Sequence, residues 1–168
     1  ALKDAKADEV DLVVIDMDTP GGRIDHTEEI IAHIQELEDI PVYVFVNQDA
    51  ISAGAIISIA CDRIYMLDEA GVEIQRSTMN EGLLPMTTDI TRSECRLLGE
   101  AELLESNQGN YSRLNAPTAE QMGLVTEALD EFDYEDMIPV AIEERVSLSP
   151  DALTGMEQNL RFGGAETC

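Results

Sequence analysis

Tryptophan is absent from the 168 residues and aromatic side chains make up 4 % of them, so aliphatic and small residues must fill any core. Positive charge is scarce: ten Lys and Arg stand against 35 Asp and Glu, a net charge of -25. Lys3 and Lys6 are the only lysines. A field of that sign repels phosphate backbones and anionic membrane surfaces, which argues against nucleic acid as a partner. The three cysteines, Cys61, Cys95 and Cys168, show no CxxC spacing, so they form no thiolate metal cluster, and an odd count argues against a disulfide framework. No metal and no cofactor is expected. A bilayer-spanning helix needs about 18 or more consecutive apolar residues, and the chain has no such run. The opening ALKDAKADEV lacks a hydrophobic stretch after its basic residues, unlike a secretory signal, and reads as the end of a charged helix inside a longer protein.

What is present is α/β patterning. VDLVVIDMDTP, 10–20, is a β-branched run stopped by proline and glycines, and its near-continuous apolar character predicts a strand covered on both faces, as in a parallel sheet. The spacing of Ile30, Ile31, Ile34 and Leu37 predicts an amphipathic helix over 24–39. IPVYVFVN, 40–47, reads as a second buried strand, so the first three elements make a βαβ unit. SAGAIISIA, 52–60, predicts a short helix through the core, and DRIYMLD, 62–68, a third strand. The segment 69–87 holds Gly71, Gly82 and Pro85 and predicts loops with a short strand. Helical spacing returns over 89–107, with Ile90, Cys95, Leu97, Leu98, Leu103 and Leu104 facing inward. In 115–133, Thr118 is the expected cap of a one-turn helix with Gln121 at N3, Gly123 its end, and LVTEAL a strand. The tail carries no strong fold signal beyond a helix start at Pro150. The expectation is one α/β domain over 1–168, with its core in 10–130.

Two features converge at the ends of the first two strands. DTPGGR, 18–23, puts adjacent glycines where a strand hands over to a helix, and such a turn can present backbone N–H groups to an anion. Ser52 stands where the second strand gives way to the small-residue helix. In adjacent parallel strands both carboxyl ends open on one edge, so Ser52 and the Gly21-Gly22 backbone would face one crevice. Acyl transfer fits that placement: Ser52 Oγ attacks a carbonyl, and the N–H groups of Gly22 and Ala53 hold the oxyanion. Small residues at 53–55 would leave room for a peptide backbone. The plainer alternative is that Ser52 caps the helix and the glycines merely connect. Pattern alone leaves both open.

The ordered series DTPGG (18–22), IPV (40–42), SAG (52–54) and ACD (60–62), followed by TAEQMGLVTEAL (118–129), resembles the ClpP/crotonase superfamily, and within it the NfeD-type and SppA-like membrane-associated serine proteases. It covers about residues 10–130. The resemblance implies a ClpP/crotonase-like spiral of ββα units with a mostly parallel sheet and flanking helices. It also implies assembly into homo-oligomers, a nucleophile at Ser52, oxyanion donors at Gly22 and Ala53, and a peptide or membrane-protein segment as partner. Membrane association through an anchor outside this chain, with the soluble domain extracytoplasmic, is implied in the same way.

The general base is where this chain departs from the resemblance. Those proteases take the serine proton with a lysine beyond the serine, and no lysine follows Lys6. Arg92, Arg96 and Arg113 stay protonated and cannot accept it. No histidine occurs in 74–82, where a ClpP-type base would fall; His26 and His33 lie on the first amphipathic helix, and His26 is the nearer to the glycine turn. Asp49 and Asp89 are carboxylate candidates, poor bases unless desolvated. The segment that would grip substrate, LDEAGVEIQRSTMN, keeps one glycine. The sequence therefore carries two readings: a serine endopeptidase acting through an acyl-enzyme, or a catalytically inactive peptide-binding or scaffold subunit. A crotonase-like acyl-CoA activity is disfavoured because coenzyme A phosphates call for basic residues.

Overall fold

In β-strands successive side chains point to opposite faces, and the second strand uses both. A computed structural model describes residues 2–7, 10–37, 40–82, 90–149 and 155. In β2, Val42–Ile51, the residues Val42, Val44 and Val46 enter a large aliphatic core, while Tyr43 and Phe45 enter a smaller aromatic one on the opposite face. β3, Arg63–Leu67, repeats the division, with Ile64 and Met66 on the aliphatic side and Tyr65 on the aromatic side. All named pairings are parallel, in the order β1-β2-β3-β5, with β4 (Glu73–Gln75) extending β2 beyond β3. β1 spans Val13–Thr19 and β5 Glu127–Leu129.

The helices follow from these faces. α1, Leu2–Ala7, precedes β1. α2, Ile24–Gln35, buries Thr27, Ile31 and Ile34, as its period requires, and Leu37 beyond its end is buried too. α3, Ala53–Ile59, is buried along its whole length. Two short helices follow, α4 (Arg92–Arg96) and α5 (Ala101–Asn107), then α6 (Ala116–Gln121) and α7 (Glu131–Ser147). α7 covers the aromatic face: Tyr134 packs edge-on to Phe45 with centroids 5.6 Å apart, and Phe45 stacks on Tyr65 at 4.7 Å.

Several expectations are corrected. β1 is an edge strand with Val14 and Asp16 exposed, so its apolar run is not covered on both faces. The helix over 89–107 is two helices separated by Gly99, whose φ of +91° stops the first; of its inward candidates Leu97 is buried and Leu98 is 68 % exposed. Asn115, rather than Thr118, caps α6, accepting from the Thr118 N–H at 3.2 Å. Gly123, φ +68°, follows that helix as expected. The 17-residue α7 lies in the segment that carried no fold signal. Asp89, Cys168 and the helix start at Pro150 lie outside the described residues.

Candidate active site

Parallel pairing places the carboxyl ends of β1, β2 and β4 on one edge of the sheet. β1 leaves through the Gly21-Gly22 turn. Gly21 sits at φ +125°, a conformation that side chains rarely adopt, and the Thr19 hydroxyl holds the turn by accepting from the Gly21 N–H at 3.3 Å and donating to its carbonyl at 3.1 Å. This turn lies directly on the start of α3. A methyl group at Gly21 would be 3.6 Å from Ser52 Cβ, and one at Gly22 would be 3.5 Å from Ala53 Cβ. The structure thus brings together Gly22, Ser52 and Ala53. The N–H groups of Gly22 and Ala53 carry no hydrogen bond among the described residues.

Ser52 has φ +52° and ψ -100°, and is the only non-glycine residue at positive φ among those described. It occupies the N-cap position of α3, yet its side chain accepts no helix N–H. The capping explanation for its hydroxyl therefore fails. Its backbone N–H donates instead to the Gln75 carbonyl at 2.8 Å, tying the start of α3 to β4. Such a backbone costs of order 1–3 kcal/mol and persists only where its surroundings enforce it. The small residues that follow serve packing: Ala53, Gly54 and Ala55 are buried, and a Cβ at Gly54 would come within 2.5 Å of Thr19 Cγ2. Close docking of α3 on β1 explains the glycine better than room for a peptide.

Beside Ser52 opens a cleft of about 350 Å³. Ile51 and Ser52 line it together with Gln75 to Thr78 and Tyr111. Arg76 is 4 % exposed; its Nη2 donates to the carbonyls of Asn107 and, at 3.1 Å, of Asn110, and its buried Nε has no partner. Burial pulls its guanidinium below the usual value, and an arginine remains protonated even so. The Tyr111 hydroxyl donates to Glu81, which also accepts from the Gly109 N–H at 2.6 Å; these bonds, the tyrosine's first, hold the Glu81 carboxyl below its ordinary range. Sequence reasoning missed this wall because 69–87 has little periodicity. The available signal was a lone arginine directly after an apolar-containing short strand in a chain poor in positive charge.

The base candidates do not converge on Ser52. His26 is exposed, and His33, partly buried on α2, pairs with Glu36 at 2.9 Å. Asp49 lies 3.8 Å from Arg113, which bonds Glu73 at 2.6 Å. Arg96 is spent on the Gly123 carbonyl at 2.9 Å. Among the described residues no group of three His, Cys, Asp or Glu side chains is placed to hold a metal ion.

A mostly parallel sheet flanked by helices on both faces is the architecture of the crotonase-like fold, which solved enoyl-CoA hydratases and isomerases share. An enoyl-CoA hydratase/isomerase family member superposes with a TM-score of 0.75 at 21 % identity, covering 96 % of this chain and 69 % of that one. An enoyl-CoA hydratase/isomerase from Pseudoalteromonas atlantica T6c does so at 0.69 and 20 %, covering 96 % and 70 %. In sequence, the chain is 39 % identical over 131 residues to the benzoyl-CoA-dihydrodiol lyase of Aromatoleum evansii, across 75 % of this chain and 24 % of that protein. It is 42 % identical over 66 residues to membrane protein NfeD1b of Bacillus subtilis, across 39 % of this chain and 15 % of that protein. The N-terminal domain model of NfeD1b matches residues 1–82. The chain thus spans a quarter or less of these curated relatives.

These similarities overturn the assignment to the NfeD-type or SppA-like serine proteases. The longer sequence match is to an enzyme of coenzyme A esters, and the structural neighbours are hydratases and isomerases. Serine endopeptidase chemistry through an acyl-enzyme, the inactive peptide-binding subunit, and a peptide or membrane-protein segment as partner fall with it. The physical source of the error is that one pair of touching turns serves any reaction in which a carbonyl oxygen gains charge. The net charge of -25 is a sum over the whole molecule and does not describe the cleft, whose wall holds the positive side chain of Arg76. No helix among the described residues is long and apolar enough to cross a membrane.

Proposed function

We propose that this chain carries the carbonyl-activating half of a crotonase-type site acting on a coenzyme A thioester, with lyase or hydratase/isomerase chemistry. The observation that carries this reading is the contact between the Gly21-Gly22 turn and the start of α3, with the Gly22 and Ala53 N–H groups unpaired among the described residues. A thioester carbonyl seated there accepts both bonds. When the neighbouring carbon loses a proton or gains a bond, electrons move onto that oxygen, and fixed N–H donors stabilise the resulting enolate more than the ground state. Removing one such donor typically costs about 10²–10³ in rate. Ser52 contributes through its backbone: its φ of +52° marks the turn from β2 into α3 directly before Ala53, and its own N–H is already held by Gln75. The similarity to a benzoyl-CoA-dihydrodiol lyase supports an acyl-CoA substrate class, and the partial match to NfeD1b supports membrane association of the complete protein.

The test uses Ala53→Pro. Position 53 is the first residue of α3, so its missing N–H breaks no helical bond, while the proline ring also restricts Ser52 before it, and the variant disturbs the serine's φ of +52° as well as removing the donor. The wild type is expected to bind crotonyl-CoA or benzoyl-CoA with the thioester carbonyl stretch lowered in difference infrared spectra. Ala53→Pro should keep its far-UV spectrum and lose most of that lowering. Absence of binding, or an unshifted carbonyl in the bound ester, would sink the reading.

A further inference from the structure

Arg76 is the only charged residue among the buried polar side chains of the described residues. A fixed positive charge out of water is costly unless paired. In a chain with 35 acids the expected remedy is a carboxylate, and no described carboxylate forms an ion pair with it. The acid that most affects its charge, Glu81, gives its oxygens to Tyr111 and Gly109. Two backbone carbonyls clamp the guanidinium in place through Nη2 and leave Nε without an acceptor. A charge clamped by two carbonyls, with Glu81 bonded elsewhere, that is also part of a cleft wall is organised for an anion that arrives from outside.

Its position limits what that anion is. Ile51 pairs with Gln75 in the β2–β4 ladder, so Ser52 and Arg76 are the next residues of two neighbouring parallel strands. Such strands run about 4.8 Å apart. Ser52 and Arg76 line one cleft of about 350 Å³, so an anion meeting Arg76 there shares that cavity with the residue that directly precedes Ala53. The coenzyme's phosphates lie at the far end of a long arm from the thioester, and a group this close belongs to the acyl portion.

We propose that Arg76 selects acyl thioesters whose acyl chain ends in a carboxylate a few carbons from the thioester carbonyl. This rests on the thioester reading above and specifies its substrate. The carboxylate enters beside Ser52 and takes a charge-assisted hydrogen bond from the guanidinium.

The experiment compares succinyl-CoA with butyryl-CoA, similar in length and differing in terminal charge, by calorimetric titration of the complete protein. The wild type is expected to bind succinyl-CoA about tenfold or more tightly than butyryl-CoA, the scale of one charge-assisted bond. Arg76→Gln should abolish that preference, and Arg76→Lys should restore part of it. Equal wild-type affinity for the two esters overturns the inference, leaves the thioester reading standing, and needs no variant to fold. If neither ester binds, the thioester reading fails, and titration with free glutarate decides the anion site separately. Arg76-dependent glutarate binding keeps it; absence of glutarate binding overturns it.

Discussion

Gly54 illustrates how much one hydrogen atom decides at the site. Its missing side chain lets α3 approach β1 until a Cβ would stand 2.5 Å from Thr19 Cγ2, with Met17 Sδ and Ala50 Cβ also close at 3.6 and 3.7 Å. Gly54→Ala must therefore push α3 away from the turn that α3 supports. A loss of about 1–3 kcal/mol is expected from overpacking in so tight a place, read from urea unfolding midpoints. The displacement also separates Ala53 from Gly22, so thioester binding should weaken at temperatures where the variant remains folded. Unimpaired binding in a destabilised Gly54→Ala would show that the two turns need not touch. The same scale explains Cys61, which is buried, donates to the Ile57 carbonyl at 3.2 Å, and has its thiol pushed far up by desolvation; it is a core residue rather than a nucleophile.

At the scale of elements, capping chemistry sets how α6 begins. Asn115 accepts from the Thr118 N–H and Pro117 sits within the first turn, so Asn115→Ala should cost about 1 kcal/mol, visible as a lower thermal midpoint. Thr118→Ala, by contrast, should cost little, since its side chain does not cap; a larger loss there would reverse the assignment made from the structure. These helices also show which parts of the fold were legible. β2 and β3 announced themselves because a strand buried on both faces is apolar without interruption. β2 nonetheless runs to Ile51 through Asn47, Gln48 and Asp49, residues that favour no strand; its extension is held by the three-residue β4, a pairing that sequence period does not reveal. α7 was illegible for a different reason. It buries Tyr134 and Ala141 but exposes Phe132 at 82 % and Val146 at 63 %, and carries Pro139 inside, so it shows neither a clean apolar stripe nor an uninterrupted helical composition. The site was half legible. DTPGG and SAG carry backbone requirements that survive in sequence, whereas Arg76 gains its meaning only from burial.

For the whole molecule, charge governs stability. Glu81, Asp25 and Glu94 have carboxyls lowered from their ordinary values: Glu81 chiefly by the Tyr111 hydroxyl, Asp25 chiefly by Arg23, and Glu94 chiefly by the Thr91 backbone N–H. Each is lower in the folded chain than in the unfolded one, so each contributes stability above the ordinary carboxylate range. That contribution disappears as pH falls through the depressed folded values. Stability should thus decline on acidification through and below about pH 4. Glu81→Gln should be less stable than the wild type at pH 7 and converge with it at low pH, a difference readable from unfolding midpoints measured at both. A constant offset across pH would show that Glu81 acts through packing rather than through its charge. Mutual repulsion among the 35 acids works in the opposite sense, since protonation relieves it, and the pairwise comparison with Glu81→Gln separates the two effects.

The division of the sheet into an aliphatic and an aromatic face has an optical consequence. The chain has four tyrosines and no tryptophan. Tyr43, Tyr65 and Tyr134 all belong to the layer between the sheet and α7, Tyr134 from α7 itself, while Tyr111 stands at the cleft. Near-ultraviolet circular dichroism and tyrosine emission are therefore two local gauges rather than a global one. The buried trio reports whether α7 is docked, and the fourth reports what enters beside Arg76. Ligand titrations that change the Tyr111 signal while the other three stay silent would be watching the cleft alone.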